Sequence, residues 1–173
     1  MKIIAIAAIT AGGKTTIVNE LLKVLPNSKS LHFDDYSFKG EVEDFYQWTL
    51  DGADYNVWNL EPLVNDICKL QNQGDCEILL LDYPMAYCNN QVAKYIDKAF
   101  FIDTPLDIAF ARRIIRDFST ASGEEIREDV VMYIKYARIA YLQMLKDIKP
   151  SSDVVIDGSL AIEEIVKQIV ETI

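Results

Sequence analysis

The residues with the clearest chemical meaning lie near the start of the chain, where two glycines precede a lysine and two threonines. Residues 8–16 read AITAGGKTT, which fits the pattern G-x-x-x-x-G-K-T of a phosphate-binding loop with alanine in place of the first glycine. The glycines let successive backbone N–H groups face an anion, and the start of a following helix adds partial positive charge. Lys14 is expected to contact the β- and γ-phosphates of a nucleotide, and Thr15 to hold Mg²⁺. The predicted nucleotide-binding residues are Thr10, Ala11, Gly12, Gly13, Lys14, Thr15 and Thr16.

Ala8 stands where this pattern usually has glycine. Alanine is disfavoured wherever the backbone needs a positive φ. Nucleotide binding therefore remains the expectation, while reduced turnover stays open as an alternative.

Two adjacent aspartates, Asp34 and Asp35, follow the second predicted strand and suggest acid–base chemistry. A kinase that phosphorylates a hydroxyl needs a carboxylate within hydrogen-bond reach of that hydroxyl. A carboxylate about 4 Å from a phosphate charge is repelled by roughly 4 kcal/mol at an effective dielectric of about 20, so a cation is needed. Mg²⁺ held by Thr15, with Asp34 and Asp82 directly or through water, would meet this need. The alternative is that the two aspartates only form a solvated turn.

The one dense basic cluster of this acidic chain is Arg112, Arg113 and Arg116. Arg112 and Arg116 are four residues apart and share one face of a helix. Their guanidinium groups would neutralise charge on the transferred phosphoryl group if this region, approximately residues 112–128, forms a small arginine-containing lid. The alternative is a solvated helix face with Asp107 and Asp117 as partners.

Several other classes of protein are excluded by what the sequence lacks. A GTPase would need an N-K-x-D segment to recognise guanine, and the chain has none. No D-x-x-G switch follows the third predicted strand, and 173 residues are too few for a motor ATPase. The net charge of −10 argues against nucleic acid as a partner. A small-molecule kinase is the remaining interpretation.

Alternating strands and helices position these residues. Short apolar strands separated by helices predict one α/β domain over residues 1–173, with a parallel sheet whose carboxyl ends share a crevice. Residues 40–60 are acidic and aromatic, and their pattern assigns no element. The predicted strands are Ile3–Ile9, Ser30–Phe33, Glu77–Asp82, Ala99–Asp103 and Asp153–Asp157. The predicted helices are Thr16–Leu25, Pro62–Gln71, 105–118, 126–147 and Leu160–Ile173.

The chain is similar to the uridine kinase and nicotinamide riboside kinase group of phosphate-loop kinases over nearly its whole length. That resemblance implies a three-layer phosphate-loop kinase fold, with a five-stranded parallel sheet covered by helices on both faces. It also implies ATP and Mg²⁺, Asp34 as the catalytic base, and Tyr36 in the nucleoside pocket. Asp82 replaces the glutamate that is usual in the group. The segments that carry the resemblance are 8–16, 34–36, 58–62, 82, 101–117, 132–136 and 149–156.

Seven aromatic residues lie within the 23 positions from Tyr36 to Trp58. They would either stack on a flat ring of the acceptor or fill the core. Contacts with the acceptor are expected from Asp35, Tyr36, Trp58 and Arg113. His32, the only histidine, is expected to be structural.

The predicted function is ATP-dependent phosphoryl transfer to a hydroxyl of a small nucleoside-like molecule, with Lys14, Asp34, Arg112 and Arg116 as catalytic residues. The alternatives are a kinase of a non-nucleoside alcohol, such as a pantothenate- or sugar-like acceptor, and an ATP-binding regulator without turnover. The first residues are too short an apolar run for a secretion signal. We expect a cytoplasmic protein that binds neither membrane nor nucleic acid and is a monomer or homodimer.

Overall fold

A computed structural model describes residues 1–173 of the chain. Five strands form one fully parallel sheet in the order β2-β3-β1-β4-β5. Each predicted strand is present, with its ends within about two residues of the prediction. The three central strands are continuous apolar runs, which are typical of strands buried on both faces. The strands are β1 (Lys2–Ala7), β2 (Ser28–His32), β3 (Ile78–Asp82), β4 (Lys98–Asp103) and β5 (Val154–Asp157).

Helices cover both faces of this sheet, which confirms the predicted three-layer α/β fold. The helices are α1 (Lys14–Val24), α2 (Phe45–Leu50), α3 (Glu61–Gln73), α4 (Asn90–Ala93), α5 (Leu106–Asp117), α6 (Gly123–Met132), α7 (Arg138–Ser151) and α8 (Ile162–Thr172). Alternate residues of β1 face opposite layers. Ile4 and Ile6 pack in one core cluster with residues of α1 and α8, whereas Ile3 lies in the other with residues of α3 and α7.

The helical segment that follows α5 begins earlier and ends later than expected. The sequence predicted one helix over 126–147, but the structure has α6, a π-helical segment at Tyr133–Ala137, and then α7. Ser122 and Glu125 form a capping box that starts α6 at Gly123. π-helical turns are rare and concentrate at functional sites. Ala137 of this segment lines the cavity described below.

The unassigned region 40–60 contains α2 and a short 3₁₀ helix at Tyr55–Val57. Aspartates cap both, since Asp44 accepts a hydrogen bond from the Gln47 N–H and Asp54 accepts one from the Asn56 N–H. Buried Asn89 then ties the region to the rest of the domain by donating to the carbonyl of Tyr55 at 2.8 Å. No helix in the structure combines the length and the apolar character needed to cross a membrane.

Candidate active site

A cavity of about 1010 Å³ opens at the carboxyl ends of the strands. Ligand pockets usually measure roughly 300–1,000 Å³, so this space is at the upper end of that range. The turn after β1, Phe33 and Asp34 after β2, and Pro84 after β3 all line it. The cavity has two parts, which we call the phosphate-loop end (residues 10–16 with Arg112 and Arg116) and the aromatic end (Phe45, Trp48, Tyr55 and Trp58).

The loop between β1 and α1 has the shape that an anion site requires. Gly13 has a φ of 99°, which favours glycine, and Ala11 also adopts a left-handed conformation with a φ of 56°. Ala8 has no positive φ, so the strain considered for it does not arise. Its methyl group is buried, and a Cβ on Gly12 would lie only 2.8 Å from it. The carbonyl oxygen of Ile9 would lie 2.9 Å from the same Cβ, so both this backbone atom and the Ala8 methyl group require glycine at position 12.

Thr104, which sequence reasoning did not single out, braces this loop. Its side chain is buried between β4 and α5, and its hydroxyl donates to the carbonyl of Gly12 at 2.8 Å. Because a peptide unit is planar with C=O and N–H on opposite sides, a Gly12 carbonyl fixed toward Thr104 directs the Gly13 N–H the other way. Gly158 permits this arrangement, since a Cβ there would overlap the Thr104 hydroxyl.

The hydroxyl of Thr15 donates to Oδ2 of Asp82 at 2.5 Å. The same oxygen lies 3.1 Å from Nδ1 of His32, whose Nε2 is 3.0 Å from the Ser30 hydroxyl. Asp82 is buried below the loop and does not line the cavity.

Burial and the charges of Asp82, Asp34 and Arg116 act on the pKa of Lys14. Burial lowers the pKa of Lys14 below the ordinary lysine value, Asp82 and Asp34 act against this, and Arg116 adds to it. A nucleotide phosphate placed beside Lys14 would favour its charged form.

Arg112, Arg116 and Asp34 all line the cavity, and their catalytic roles stay predictions. Nη1 of Arg112 lies 4.0 Å from the point where a Cβ on Gly13 would stand. Arg116 makes a two-pronged ion pair with Asp117, at 2.6 Å from Nε and 3.0 Å from Nη2. This hydrogen bonding raises the pKa of Arg116, and the charge of Asp34 raises it further.

Three of the residues expected to contact the acceptor do not line the cavity: Asp35, Tyr36 and Arg113. The Tyr36 hydroxyl donates instead to Asp66 at 3.0 Å. Arg113 pairs with Asp129 of α6 and lies near the ring of Phe110, so it joins α5 to α6. Arg113 does not face the cavity because of helical geometry: the residue next to Arg112 in sequence points about 100° away around the helix.

The aromatic end is both part of the core and part of the cavity wall. Trp48 makes edge-to-face contacts with Tyr55 and Trp58, with ring centroids 5.1 Å and 5.5 Å apart. Phe45, on the same helix as Trp48, is 45% exposed and offers its ring to the cavity. These residues thus fill part of the core and also line the cavity, and their stacking on an acceptor stays a prediction.

Charge is distributed unevenly along the cavity. Its basic residues are Lys14, Arg112 and Arg116, all at the phosphate-loop end. The region 41–58 contributes Glu41 and Glu43 to the lining and contains no lysine or arginine.

The oxygen donors present suit Mg²⁺. The structure contains no group of three or more His, Cys, Asp or Glu side chains able to hold a metal ion by themselves. Mg²⁺ is usually bound through one or two carboxylates, substrate phosphates and water. A hydroxyl and a carboxylate in contact beside a phosphate loop, as Thr15 and Asp82 are, fit that preference.

A comparison with protein-family models finds no match. Among curated proteins, the chain is 28% identical to a uridine kinase of Borrelia hermsii (strain HS1 / DAH), with 90% of this chain and 86% of the relative covered. It is 29% identical to nicotinamide riboside kinase 2 of Mus musculus, with 79% and 80% covered.

Solved structures show the same fold. The shikimate kinase of Bacteroides thetaiotaomicron matches with a TM-score of 0.58 and 15% identity, covering 99% of this chain and 97% of that one. A deoxyadenosine kinase from M. mycoides matches with a TM-score of 0.51 and 16% identity, covering 98% and 97%. The chain resembles the uridine kinase and nicotinamide riboside kinase group over most of its length, and it is a kinase of the phosphate-loop class.

Proposed function

We propose that the chain transfers the γ-phosphoryl group of ATP to a hydroxyl group of a small nucleoside-like molecule. The observation that carries this proposal is one cavity with a phosphate loop and two arginines at one end, an aromatic wall at the other, and Asp34 in its lining. The names of the relatives, uridine kinase and nicotinamide riboside kinase, support a nucleoside-like acceptor.

In the proposed reaction the acceptor oxygen forms a bond to the γ-phosphorus as the bond from phosphorus to the β,γ-bridging oxygen breaks, which leaves ADP. Asp34 orients the acceptor hydroxyl and takes its proton. Lys14 and the loop N–H groups hold the phosphates, while Arg112 and Arg116 stabilise the negative charge spread over the transferred group. Mg²⁺, when bound, neutralises charge on the β- and γ-phosphates. We expect Thr15, Asp82 and, through water, Asp34 to hold it.

The charge pattern narrows the choice of acceptor. An acceptor that carries a carboxylate, such as pantothenate, would bring its charge toward Glu41 and Glu43 with no basic residue of region 41–58 to pair with it. An uncharged or cationic flat ring meets aromatic faces there without that repulsion. This favours the nucleoside-like acceptor over the pantothenate-like one.

The test is ADP formation from ATP and Mg²⁺ with a panel of nucleosides, nicotinamide riboside, pantothenate and simple sugars. We expect one nucleoside-like compound to raise ADP formation well above the rate without acceptor. Asp34→Asn should remove that increase, whereas Asp35→Asn, a change at the neighbouring residue outside the cavity, should keep it. ATP binding with no response to any acceptor would contradict the proposal and favour a regulator without turnover.

A further inference from the structure

His32 lies at the end of β2, where the parallel register pairs it with Asp82 of β3. Nδ1 of the imidazole is 3.1 Å from Oδ2 of Asp82, and Nε2 is 3.0 Å from the hydroxyl of Ser30. A carboxylate only accepts hydrogen bonds, so Nδ1 carries a proton and donates to Asp82, while Nε2 shares a second hydrogen bond with the Ser30 hydroxyl. The ring is therefore held from both sides.

Two donors, one from a helix and one from a strand, converge on the same oxygen of Asp82. Thr15 approaches Oδ2 from the start of α1, and His32 approaches it from β2. The other carboxylate oxygen, Oδ1, accepts no hydrogen bond from the protein, yet it is not among the fully buried polar atoms that lack a partner. Oδ1 is thus the carboxylate oxygen that keeps its capacity to accept a hydrogen bond or to bind a cation.

We infer that His32 is a positioning residue that fixes the Asp82 carboxylate, with Oδ2 engaged by the hydroxyl of Thr15 and by Nδ1 of His32. The inference rests on the proposed function, in which Thr15 and Asp82 help to hold Mg²⁺. The final torsion of an aspartate is broad, so a single hydrogen bond from Thr15 leaves the carboxylate free to rotate. A second bond from another direction restricts it.

Loss of the hydrogen bond from His32 should affect the binding of Mg²⁺ more than the binding of ATP itself. Hydrogen-bonding partners that orient a metal-binding group commonly change metal affinity by about 10- to 100-fold when they are lost. The phosphate contacts of Lys14 and the loop N–H groups do not pass through His32. Loss of the imidazole should therefore weaken the response to Mg²⁺ and spare ATP binding without metal.

The experiment measures ATP affinity by calorimetry, first in EDTA and then over a Mg²⁺ titration, for the unmodified chain, His32→Leu and His32→Asn. His32→Leu has no hydrogen-bond donor at this position. In this variant, the Mg²⁺ concentration that produces half of the metal's full effect on ATP affinity should rise about 10-fold. ATP affinity in EDTA should stay within about twofold. His32→Asn, whose amide N–H can replace Nδ1–H, should recover most of the Mg²⁺ response.

Each opposing result would overturn the inference. An unchanged Mg²⁺ requirement in His32→Leu would show that His32 is only structural, even with a lowered melting temperature. An equal loss of ATP affinity in EDTA would show general damage to the site. If Mg²⁺ has no effect on ATP binding to the unmodified chain, the proposed metal role fails together with the inference, and acceptor-dependent ADP formation reports separately on the kinase activity.

A second variant covers the case in which His32→Leu does not fold. Ser30→Ala keeps the imidazole and removes only the partner of Nε2. It should shift the Mg²⁺ requirement in the same direction by about threefold, since the ring is held less firmly. No shift in a folded Ser30→Ala chain would count against the inference.

Discussion

The phosphate-loop end takes most of its contacts from one continuous stretch of chain, residues 10–16, whereas the aromatic end is assembled from a short helix, a 3₁₀ helix and the segment that follows it. The first is fixed by backbone geometry, with left-handed residues at Ala11 and Gly13. The second is fixed by side-chain packing, such as the contacts of Trp48 with Tyr55 and Trp58. Binding of phosphate should thus depend on single residues, while binding of the acceptor should be spread over several.

The largest effect is expected at Lys14. Lys14→Ala removes the cation that faces the β- and γ-phosphates, and kcat/KM for ATP should fall by about 1,000-fold. Lys23→Ala is a matched control, because Lys23 lies on the same helix, is exposed, and pairs only with Glu20. Steady-state kinetics of both variants decide the matter. Activity of Lys14→Ala within a few fold of the unmodified chain would contradict the proposed role of the loop.

A smaller loss is expected at Thr104. Thr104→Val has nearly the same shape but cannot donate to the buried carbonyl of Gly12, and an unsatisfied buried polar group costs about 1–3 kcal/mol. ATP affinity should fall by roughly 5- to 140-fold, as measured by calorimetry. Thr104→Ser keeps the hydroxyl and should bind ATP almost normally. If the two variants bind ATP equally well, the loop does not depend on this brace.

At the aromatic end, truncation of one side chain should have a smaller effect and should change only the binding of the acceptor. Phe45→Ala removes an exposed ring that lines the cavity, and a stacked aromatic contact contributes about 0.5–1.5 kcal/mol. KM for the acceptor should rise by roughly 2- to 12-fold with ATP affinity unchanged. Leu50→Ala, on the same helix and outside the cavity lining, serves as the control. A change in ATP affinity would break the division between the two ends.

The smallest effect is a pH dependence specific to the phosphate-loop end. Burial lowers the pKa of Lys14 in the free protein, and a bound phosphate favours the charged form, so ATP binding should take up protons at alkaline pH. ATP affinity should then fall as the pH rises toward the ordinary lysine pKa of about 10.4. Calorimetry in two buffers of different ionisation enthalpy measures the uptake. The same uptake in Lys14→Met would assign it to another group.

The contrast between local backbone geometry and long-range side-chain contacts also explains which site residues the sequence predicted and which it missed. The loop and the pairing of Arg112 with Arg116 follow from local spacing, and the structure brings these residues to one cavity. Arg113 was grouped with them, although its place around the helix directs it to Asp129. The contacts of Thr104 and His32 join positions 92 and 50 residues apart, and no local pattern marks them.

The sequence pattern of residues 40–60 assigned no element for a related reason. Its helix α2 is only six residues long, and its two short elements depend on aspartate caps and on Asn89, more than thirty residues away. The S-x-x-E capping box at Ser122–Glu125 is also present in the sequence and places the start of α6 at Gly123, but the predicted helix, which began only at residue 126, did not use it.

The central claim is that the two ends of the cavity perform separable tasks, and Asp34→Asn tests it most directly. Calorimetry with ATP and Mg²⁺ should be paired with single-turnover transfer to the acceptor found in the panel. The account predicts ATP affinity within about threefold of the unmodified chain and a loss of transfer of at least ~100-fold. Transfer at the normal rate would remove Asp34 from the mechanism, and an equal loss of ATP affinity would contradict the separation of the two ends.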